Sequence, residues 1–399
     1  MPQENIENLI RSWNYQQGWN NGPVIQDKLS PEAYGRILTL YNHTWREEVL
    51  GNTFDWSSDS YSVYLPESLY VISSIYLRIE LPANSGGAVF KKYPGIYALK
   101  SVRLMSGGTE VYTADQNLFL HDYCESLSEE ALRVFGAAYL GGEEDATDAT
   151  RTILIPILLP NSSYMGRAGG THGHGIFPAF LGQSRLELQL SMNAAKNLSS
   201  AAGQAPASIL GKCSIMYHQV EMTEAARRSY ADLRGNYSIV NRRFTELTSG
   251  WQQYTSPNDV AHYNQFQPQG TVTEVMFIAC THDADDSRHN AVYILPTSIT
   301  VTVDAVVVKS LDTPEKVRAE LWTNGFTPNK DFPSPGRMCF AAHASGSDHM
   351  YSGGYNMRLA STVDYAFTFK EAVSYKIVAS QIQRVTIDAV GKLSASLTS

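Results

Sequence analysis

The stretch ILGKCSIMYHQVEMTEAARRSYADLRGNYSIVNRRFT, Ile209–Thr245, lies near the middle of the chain. It opens with the period of two that is typical of a strand, and one side of that strand would carry Cys213, Ile215 and Tyr217. A short helix is predicted next, because Thr223 is a suitable N-cap and Gly235 suits a left-handed C-terminal cap. A second strand follows from residue 237. This order predicts two similar β-modules joined by a helical link.

Both halves contain many short segments with strand periodicity and few with helical periodicity. In the first half, strands are predicted at 69–81, 96–105, 151–160 with a break at Pro156, and 185–192. In the second half, they are predicted at 272–280, 299–307, 365–369, 375–379, 382–389 and 392–397. The main predicted helices are 118–140 and Thr313–Trp322. Many short strands and few helices indicate sandwiches or barrels.

The composition favours polar loops and uncharged contact surfaces. Charged residues make up only 18% of the chain, which also contains 23 tyrosines. The formal net charge is −8 and the pI is about 5.7, and the pairs Arg227-Arg228 and Arg242-Arg243 are isolated. Binding to a phosphate backbone needs clustered Lys and Arg, so we expect no direct contact with nucleic acid.

No sequence motif predicts a catalytic, cofactor or metal site. The four cysteines are far apart, the first residues lack a secretory signal pattern, and no apolar run is long enough for a membrane span. His172 and His174 lack a third ligand at a suitable spacing, and Thr281–His289 (THDADDSRH) does not match the EF-hand pattern. Whether either loop binds an ion stays open. Nucleophile-elbow, zinc-protease and phosphate-loop motifs are absent, so we expect no enzyme.

Several stretches, in chain order, resemble the double-jelly-roll major capsid proteins of nucleocytoplasmic large DNA viruses and membrane-containing tailless phages. Each is a short strand, helix or turn, and together they cover about half the chain. The first is an apolar strand with a proline, followed by a strand of alternating leucines. The stretches are 155–160 with 176–192, the 224–233 helix with the 237–244 strand, Gly270–Cys280, Ser352–Leu359 (SGGYNMRL) and 379–394.

The resemblance implies an all-β fold of two eight-stranded antiparallel jelly rolls in tandem, with short helical inserts. We expect four regions: an N-terminal arm with a helix at 1–45, the first roll at 46–222, a helical linker at 223–236 and the second roll at 237–399. It also implies a structural major capsid protein that trimerises into pseudo-hexameric capsomers and builds an icosahedral virion shell, assembled in the host cytoplasm. The implied partners are two more copies, neighbouring capsomers, penton and minor capsid proteins, and an internal membrane, with no cofactor.

The N-terminal segment is the candidate for contact with the underside of such a shell. Four apolar residues recur there at helical spacing and a second tryptophan follows: Ile6, Leu9, Ile10, Trp13 and Trp19. A helix packed on its own domain and an arm docked on a neighbouring subunit or a membrane both fit this pattern.

Two other functions fit the sequence. A jelly-roll carbohydrate-binding protein or glycan hydrolase would use the aromatic and asparagine side chains to bind sugars. A minor capsid or spike protein would have the same fold. The sequence does not separate a major from a minor role.

Overall fold

A computed structural model of the chain describes residues 41–51, 60–65, 70–81, 90, 93–115, 129–141, 151–157, 184–193, 198, 213–222, 237–281, 294–324, 335–340 and 354–397. The described residues form antiparallel strands with a few short helical segments. These segments are a 3₁₀ turn at Pro94–Tyr97, α1 at Glu129–Phe135, a π-helical turn at Gly136–Leu140 and α2 at Pro314–Thr323. The predicted linker at 223–236 lies outside the described residues.

The first roll consists of eight strands in two four-stranded sheets. They are β1 (Tyr41–Gly51), β2 (Ser60–Tyr64), β3 (Tyr70–Leu81), β4 (Leu99–Ser106), β5 (Thr109–Asp115), β6 (Arg151–Ile157), β7 (Leu186–Met192) and β8 (Cys213–Met222). One sheet, here called the flank sheet, has the order β1-β8-β3-β6, and the other has the order β2-β7-β4-β5. β1 begins inside the range that was assigned to the arm.

The second roll begins at Tyr237 and also has two sheets. Its strands are β9 (Tyr237–Glu246), β10 (Gln252–Tyr254), β11 (Ala261–Tyr263), β12 (Thr271–Thr281), β13 (Ser298–Val303), β14 (Val306–Leu311), β15 (Gly336–Cys339), β16 (Tyr355–Asn356), β17 (Val363–Thr368), β18 (Val373–Ile387) and β19 (Leu393–Leu397). The seven-stranded junction sheet contains β10-β18-β12-β15, with β9 and β19 paired to β18 and β16 paired to β12. The second sheet has the order β11-β17-β13-β14.

The two rolls have the same strand order. β9 and β10 pair with successive parts of β18, so together they act as one first strand, and β15 and β16 likewise share β12. Counted in this way, each roll has one sheet in the order first-eighth-third-sixth and another in the order second-seventh-fourth-fifth. Two packed antiparallel sheets of eight strands are the architecture of a jelly roll. The predicted all-β fold of two tandem jelly rolls is therefore confirmed.

Each roll has an apolar core made by alternate residues of its strands. In the first roll, Leu186, Leu188, Leu190 and Met192 of β7 are buried and the intervening residues are only partly buried. β12 is buried on both faces, as its continuous apolar sequence predicted, because it is central in the junction sheet. A strand buried on both faces can join two cores.

The prediction of one strand over 299–307 is wrong. The chain reverses at Asp304 and Ala305, both with positive φ, and β13 and β14 form a tight hairpin. The Asp304 carboxylate accepts the backbone N–H groups of Ser361 and Thr362 at 2.8 and 2.9 Å. These contacts with two residues distant in sequence stabilise the turn. The local sequence did not predict a turn here, because Ala rarely adopts a left-handed conformation.

Three other boundaries differ from the prediction. β6 continues through Pro156, because β6 is an edge strand and a missing N–H is tolerated there. The segment at Ile96 is a 3₁₀ turn, and the strand begins only at Leu99. The strands predicted at 375–379 and 382–389 are one strand, β18, because β9 and β12 pair with it on both sides without interruption at 380 and 381.

Candidate assembly interface

The junction sheet joins the two rolls. One face carries Val275 and Phe277, which belong to the core of the second roll. The opposite face carries Met276, Ile278 and Val378, which belong to the same buried apolar cluster as the core of the first roll. Because successive strand residues point to opposite sides, a single strand contributes to both cores. The rolls therefore form one packed unit.

A buried ion pair lies on the face of the junction sheet that carries Met276. The Arg337 Nη1 donates to both carboxylate oxygens of Glu274, at 3.2 and 3.3 Å, and each side chain is only 1% exposed. The Met276 sulfur lies 3.4 Å from the same nitrogen. Removing either charge would leave the other buried without compensation. Sequence reasoning missed this pair, since its members are 63 residues apart and match no motif.

Helix α2 protects an edge of the junction sheet. The sequence predicted a helix from Thr313, and Thr313 caps α2 by accepting the Lys316 N–H at 3.3 Å. From the last turn, the Glu320 carboxylate accepts the Cys339 N–H of β15 at 3.0 Å and pairs with Lys309 of β14 at 2.5 Å. An open strand edge would pair with other chains. This helix therefore leaves β15 unavailable for such pairing.

The outer face of the flank sheet carries two exposed apolar side chains beside a group of charged ones. On β1, Trp45 and Val49 each expose 55% of their surface on the side away from the core. The Trp45 ring lies 5.9 Å from Tyr76 of β3, and Tyr76 stacks at 5.9 Å on Tyr139 of the π-helical turn. Trp45 and Val49 are therefore the residues of this sheet that another apolar surface could cover.

Charges on the flank sheet are paired among themselves. Arg78 lies between Glu47 and Glu80, at 3.7 and 3.2 Å. The Ser214 hydroxyl also donates to Glu47. Because these groups are already paired, this face carries little net charge to repel another protein surface.

The outer face of the β2-β7-β4-β5 sheet is polar by comparison. The Ser62 hydroxyl and the Gln189 amide both donate to Glu187, and these hydrogen bonds lower the pKa of the Glu187 carboxyl. Ionised carboxylates and exposed hydroxyls are well solvated. This face therefore carries solvated polar groups beside the exposed ring of Tyr64, which lies opposite Glu187.

A second exposed apolar surface lies on β14, the edge strand of the second roll. Val306 and Val307 follow the Asp304-Ala305 turn and expose 65% and 58% of their surface. In a single strand over 299–307, Val307 would lie on the same side as Ile299 and Val301. The hairpin instead places it on the surface.

The residues predicted to contact the underside of a shell (Ile6, Leu9, Ile10, Trp13 and Trp19) lie outside the described residues. The loop containing His172 and His174 also lies outside them, as does Thr281–His289 apart from Thr281, which ends β12. Among the described residues, no group of three His, Cys, Asp or Glu side chains could hold a metal ion. None of the helices in that part of the chain has the length and apolarity needed to cross a membrane.

Comparison with known proteins gives matches in structure only. No family model matches the sequence, and no curated protein matches it. The PBCV-1 virus capsid structure matches with a TM-score of 0.67 and 10% identity, over 90% of this chain and 97% of that chain. The mavirus major capsid protein matches with a TM-score of 0.59 and 8% identity, over 95% of each chain. The Faustovirus major capsid protein matches with a TM-score of 0.55 and 9% identity, over 97% of this chain and 99% of that chain.

These matches extend over both rolls and nearly the full length of each capsid protein. The strand order, the shared junction sheet and the structural matches agree. The chain has the fold of the double-jelly-roll major capsid proteins of viruses.

Proposed function

We propose that this chain is a structural major capsid protein, three copies of which form a pseudo-hexameric capsomer of an icosahedral virion shell. One observation carries the proposal: a single chain holds two jelly rolls of the same strand order, fixed together by a common sheet. Three copies would supply six similar modules, and closed cyclic symmetry lets one sequence build the ring. The function needs rigid modules and apolar flanks but no reactive group.

The experiment is size-exclusion chromatography with light scattering on the purified chain. We expect the mass of three chains of 44.1 kDa, and electron microscopy should show particles with a near-hexagonal outline. A monomer at every concentration tested would contradict the proposal. The alternative of a carbohydrate-binding protein or glycan hydrolase predicts a monomer or dimer that binds or cleaves glycans. The likeness to capsid proteins over almost the whole chain supports the capsid function instead.

The N-terminal segment is proposed to contact the underside of the shell, where an internal membrane or minor capsid proteins would lie. The support is the helical spacing of Ile6, Leu9, Ile10 and Trp13, with Trp19 following. Deletion of residues 1–20 should leave soluble trimers but reduce the yield of particles. Ile10→Ala with Trp13→Ala should reproduce the defect, and Asn14→Ala with Gln17→Ala is the matched control. Unchanged particle yield in the deletion would contradict this assignment.

The remaining partners follow from the same proposal. Capsomers would contact neighbouring capsomers and penton proteins, and the chain would reside in the virion after assembly in the host cytoplasm. We propose no catalytic residue and no cofactor. We propose the arm at 1–45, the first roll at 46–222, the linker at 223–236 and the second roll at 237–399. β1 (Tyr41–Gly51) starts within the last residues of the arm.

A further inference from the structure

Three turns of the second roll are hydrogen-bonded to one another at one end of the β11-β17-β13-β14 sheet. They connect β11 to β12, β13 to β14 and β16 to β17. The Gln267 amide of the first turn donates to the Ser361 carbonyl of the third turn at 2.6 Å. The Asp304 carboxylate of the second turn accepts the N–H groups of Ser361 and Thr362. These turns are here called the turn cluster, which comprises residues 264–270, 304–305 and 357–362.

The turn cluster exposes large apolar side chains from three separate parts of the sequence. Phe266 exposes 54% of its surface and Leu359 exposes 86%, and Val306, the first residue of β14, exposes 65%. Val303 at the end of β13 lies opposite Val363 at the start of β17, so these turns share one end of the sheet. Single exposed apolar residues are common, but a group of them on adjoining turns marks an interaction site.

The equivalent turn of the first roll is polar. Across the β4–β5 turn, Ser106 lies opposite Thr109. Across the β13–β14 turn, Val303 lies opposite Val306. Thr109 therefore has the position of Val306, and it is exposed as well. Because the fold accepts a polar residue at this position, the exposed valine of the second roll is not a requirement of the turn.

We propose that the turn cluster inserts Phe266, Val306 and Leu359 into the surface of a lipid bilayer. In a virion, this end of the second roll would then face the internal membrane. That location rests on the proposed capsid function, whereas binding of the purified chain to lipid does not. Apolar side chains that are exposed to water in the chain alone would become buried among acyl chains and headgroups.

The hydrogen bonding of the turn cluster favours lipid as the partner. A backbone N–H or C=O group that enters hydrocarbon without a hydrogen-bond partner is costly. The Met357 N–H donates to the Gly270 carbonyl at 3.0 Å, and the Ala360 N–H donates to the Met357 carbonyl at 3.2 Å. The Arg358 N–H donates to the Asn356 side chain at 3.0 Å. The cluster can therefore approach the acyl chains with these backbone groups already paired.

The charges of the turn cluster also suit a bilayer surface. Its basic residue, Arg358, is exposed and directly precedes Leu359 in the sequence. An arginine beside an apolar residue can bind a headgroup phosphate while its neighbour enters the bilayer. Asp304 is the only acidic residue of the three turns, and its carboxylate already accepts two backbone N–H groups.

The first test is flotation of the purified full-length chain with vesicles of phosphatidylcholine and phosphatidylserine. The wild type should float with the vesicles. Phe266→Ser combined with Leu359→Ser should weaken binding by at least about tenfold, because the apolar area that the bilayer buries is lost. Failure of the wild type to float, or equal flotation of this double variant, would overturn the proposal.

The matched control is Val260→Ser combined with Trp322→Ser. Val260 and Trp322 expose 60% and 75% of their surface. Val260 directly precedes β11, whereas the turn cluster follows that strand, and Trp322 lies in α2 beyond the far end of β14. This control should bind vesicles as the wild type does. A loss equal to that of the Phe266 and Leu359 variant would show unspecific apolar adsorption and overturn the proposal.

The second test locates the lipid contact directly. Leu359→p-benzoylphenylalanine is irradiated with the same vesicles, and the peptides are analysed by mass spectrometry. We expect phospholipid adducts on the peptide that contains residue 359, and none when the same substitution is made at Val260. Flotation of the Leu359 variant without such adducts would place the lipid contact elsewhere and overturn the proposal.

Failure of this proposal differs from failure of the capsid function. Light scattering of the wild type decides the capsid function separately. A trimer that does not bind vesicles overturns only the lipid contact. A monomer at every concentration contradicts the capsid function, and flotation of that monomer through the turn cluster would still support the lipid contact.

Discussion

At the scale of single residues, the buried pair of Glu274 and Arg337 matters most for the relation between the rolls. The pair lies on the face of the junction sheet that turns towards the first roll, together with Met276. A buried ion pair adds little to stability compared with well-packed apolar residues, but half of such a pair is strongly unfavourable. The pair therefore favours the pairing of β12 with β15 that brings the two charges into contact.

Arg337→Met should lower the free energy of unfolding by about 3–5 kcal/mol, because it leaves the Glu274 carboxylate buried without its partner. Urea unfolding followed by circular dichroism measures this change. Arg337→Met combined with Glu274→Leu removes both charges and should recover most of the lost stability. A double variant as unstable as the single one would contradict this account.

The burial of Tyr365 predicts how the stability of the protein changes at alkaline pH. It lies in β17 inside the second core, and burial raises the pKa of its hydroxyl above the ordinary value of 10.0. The unfolded chain therefore loses this proton first as pH rises, so stability is fully present below about pH 10 and falls above it. Tyr365→Phe keeps the ring and removes the proton. Between pH 10 and 11, its unfolding free energy should fall less steeply than that of the wild type, by up to about 1.4 kcal/mol per pH unit. An equal dependence of the unfolding free energy on pH in the variant and the wild type would contradict the prediction.

At the scale of elements, the two equivalent hairpins form turns with positive φ angles from different residues. The β4–β5 turn uses Gly107 and Gly108, with φ of 56° and 80°, whereas the β13–β14 turn uses Asp304 and Ala305, with φ of 47° and 65°. Glycine adopts this region without steric cost, and an alanine there is strained by about 1–2 kcal/mol. The second turn keeps its shape because Asp304 holds the backbone of residues 361 and 362.

Ala305→Gly should stabilise the chain by up to about 1 kcal/mol, because relief of strain exceeds the added freedom of the unfolded chain. Gly108→Ala is the reciprocal change in a turn with open space around it, and it should destabilise by a similar amount. Thermal unfolding of both variants measures the two shifts. Shifts of the same sign would contradict the equivalence of the turns.

The sequence predicted most strands and the tandem arrangement, because alternation directly reports which face of a strand is buried. β7 matches its predicted range closely for this reason, and β12 matches its range because its continuous apolar run reports burial on both faces. The prediction failed where a contact with residues distant in sequence determines the local conformation. The turn at Asp304 depends on residues almost 60 positions later, and the continuity of β18 depends on the strands beside it. The pairing of Glu274 with Arg337 is likewise a product of β12 lying beside β15.

At the scale of the whole molecule, the shared sheet couples the two rolls energetically. Opening the second roll would expose Met276 and Ile278, which are buried against the first. Burial of apolar surface is the main favourable contribution to folding, so neither roll should unfold without a cost to the other. The proposed capsid function would benefit, because a capsomer needs modules that keep a fixed position relative to one another.

Calorimetry of the purified chain should show one unfolding transition rather than two, and near-ultraviolet circular dichroism should report the same midpoint. Arg337→Met should lower that midpoint without splitting the transition. Two resolved transitions in the wild type would contradict the coupling.

The position of the last strand has a consequence for biosynthesis. Leu393 of β19 belongs to the apolar cluster of the first roll, so that cluster is incomplete until the ribosome has synthesised β19. While only the first roll has been synthesised, the part of its apolar cluster that the second roll covers is exposed to solvent. Chaperone binding at this stage would then limit how fast the folded protein accumulates.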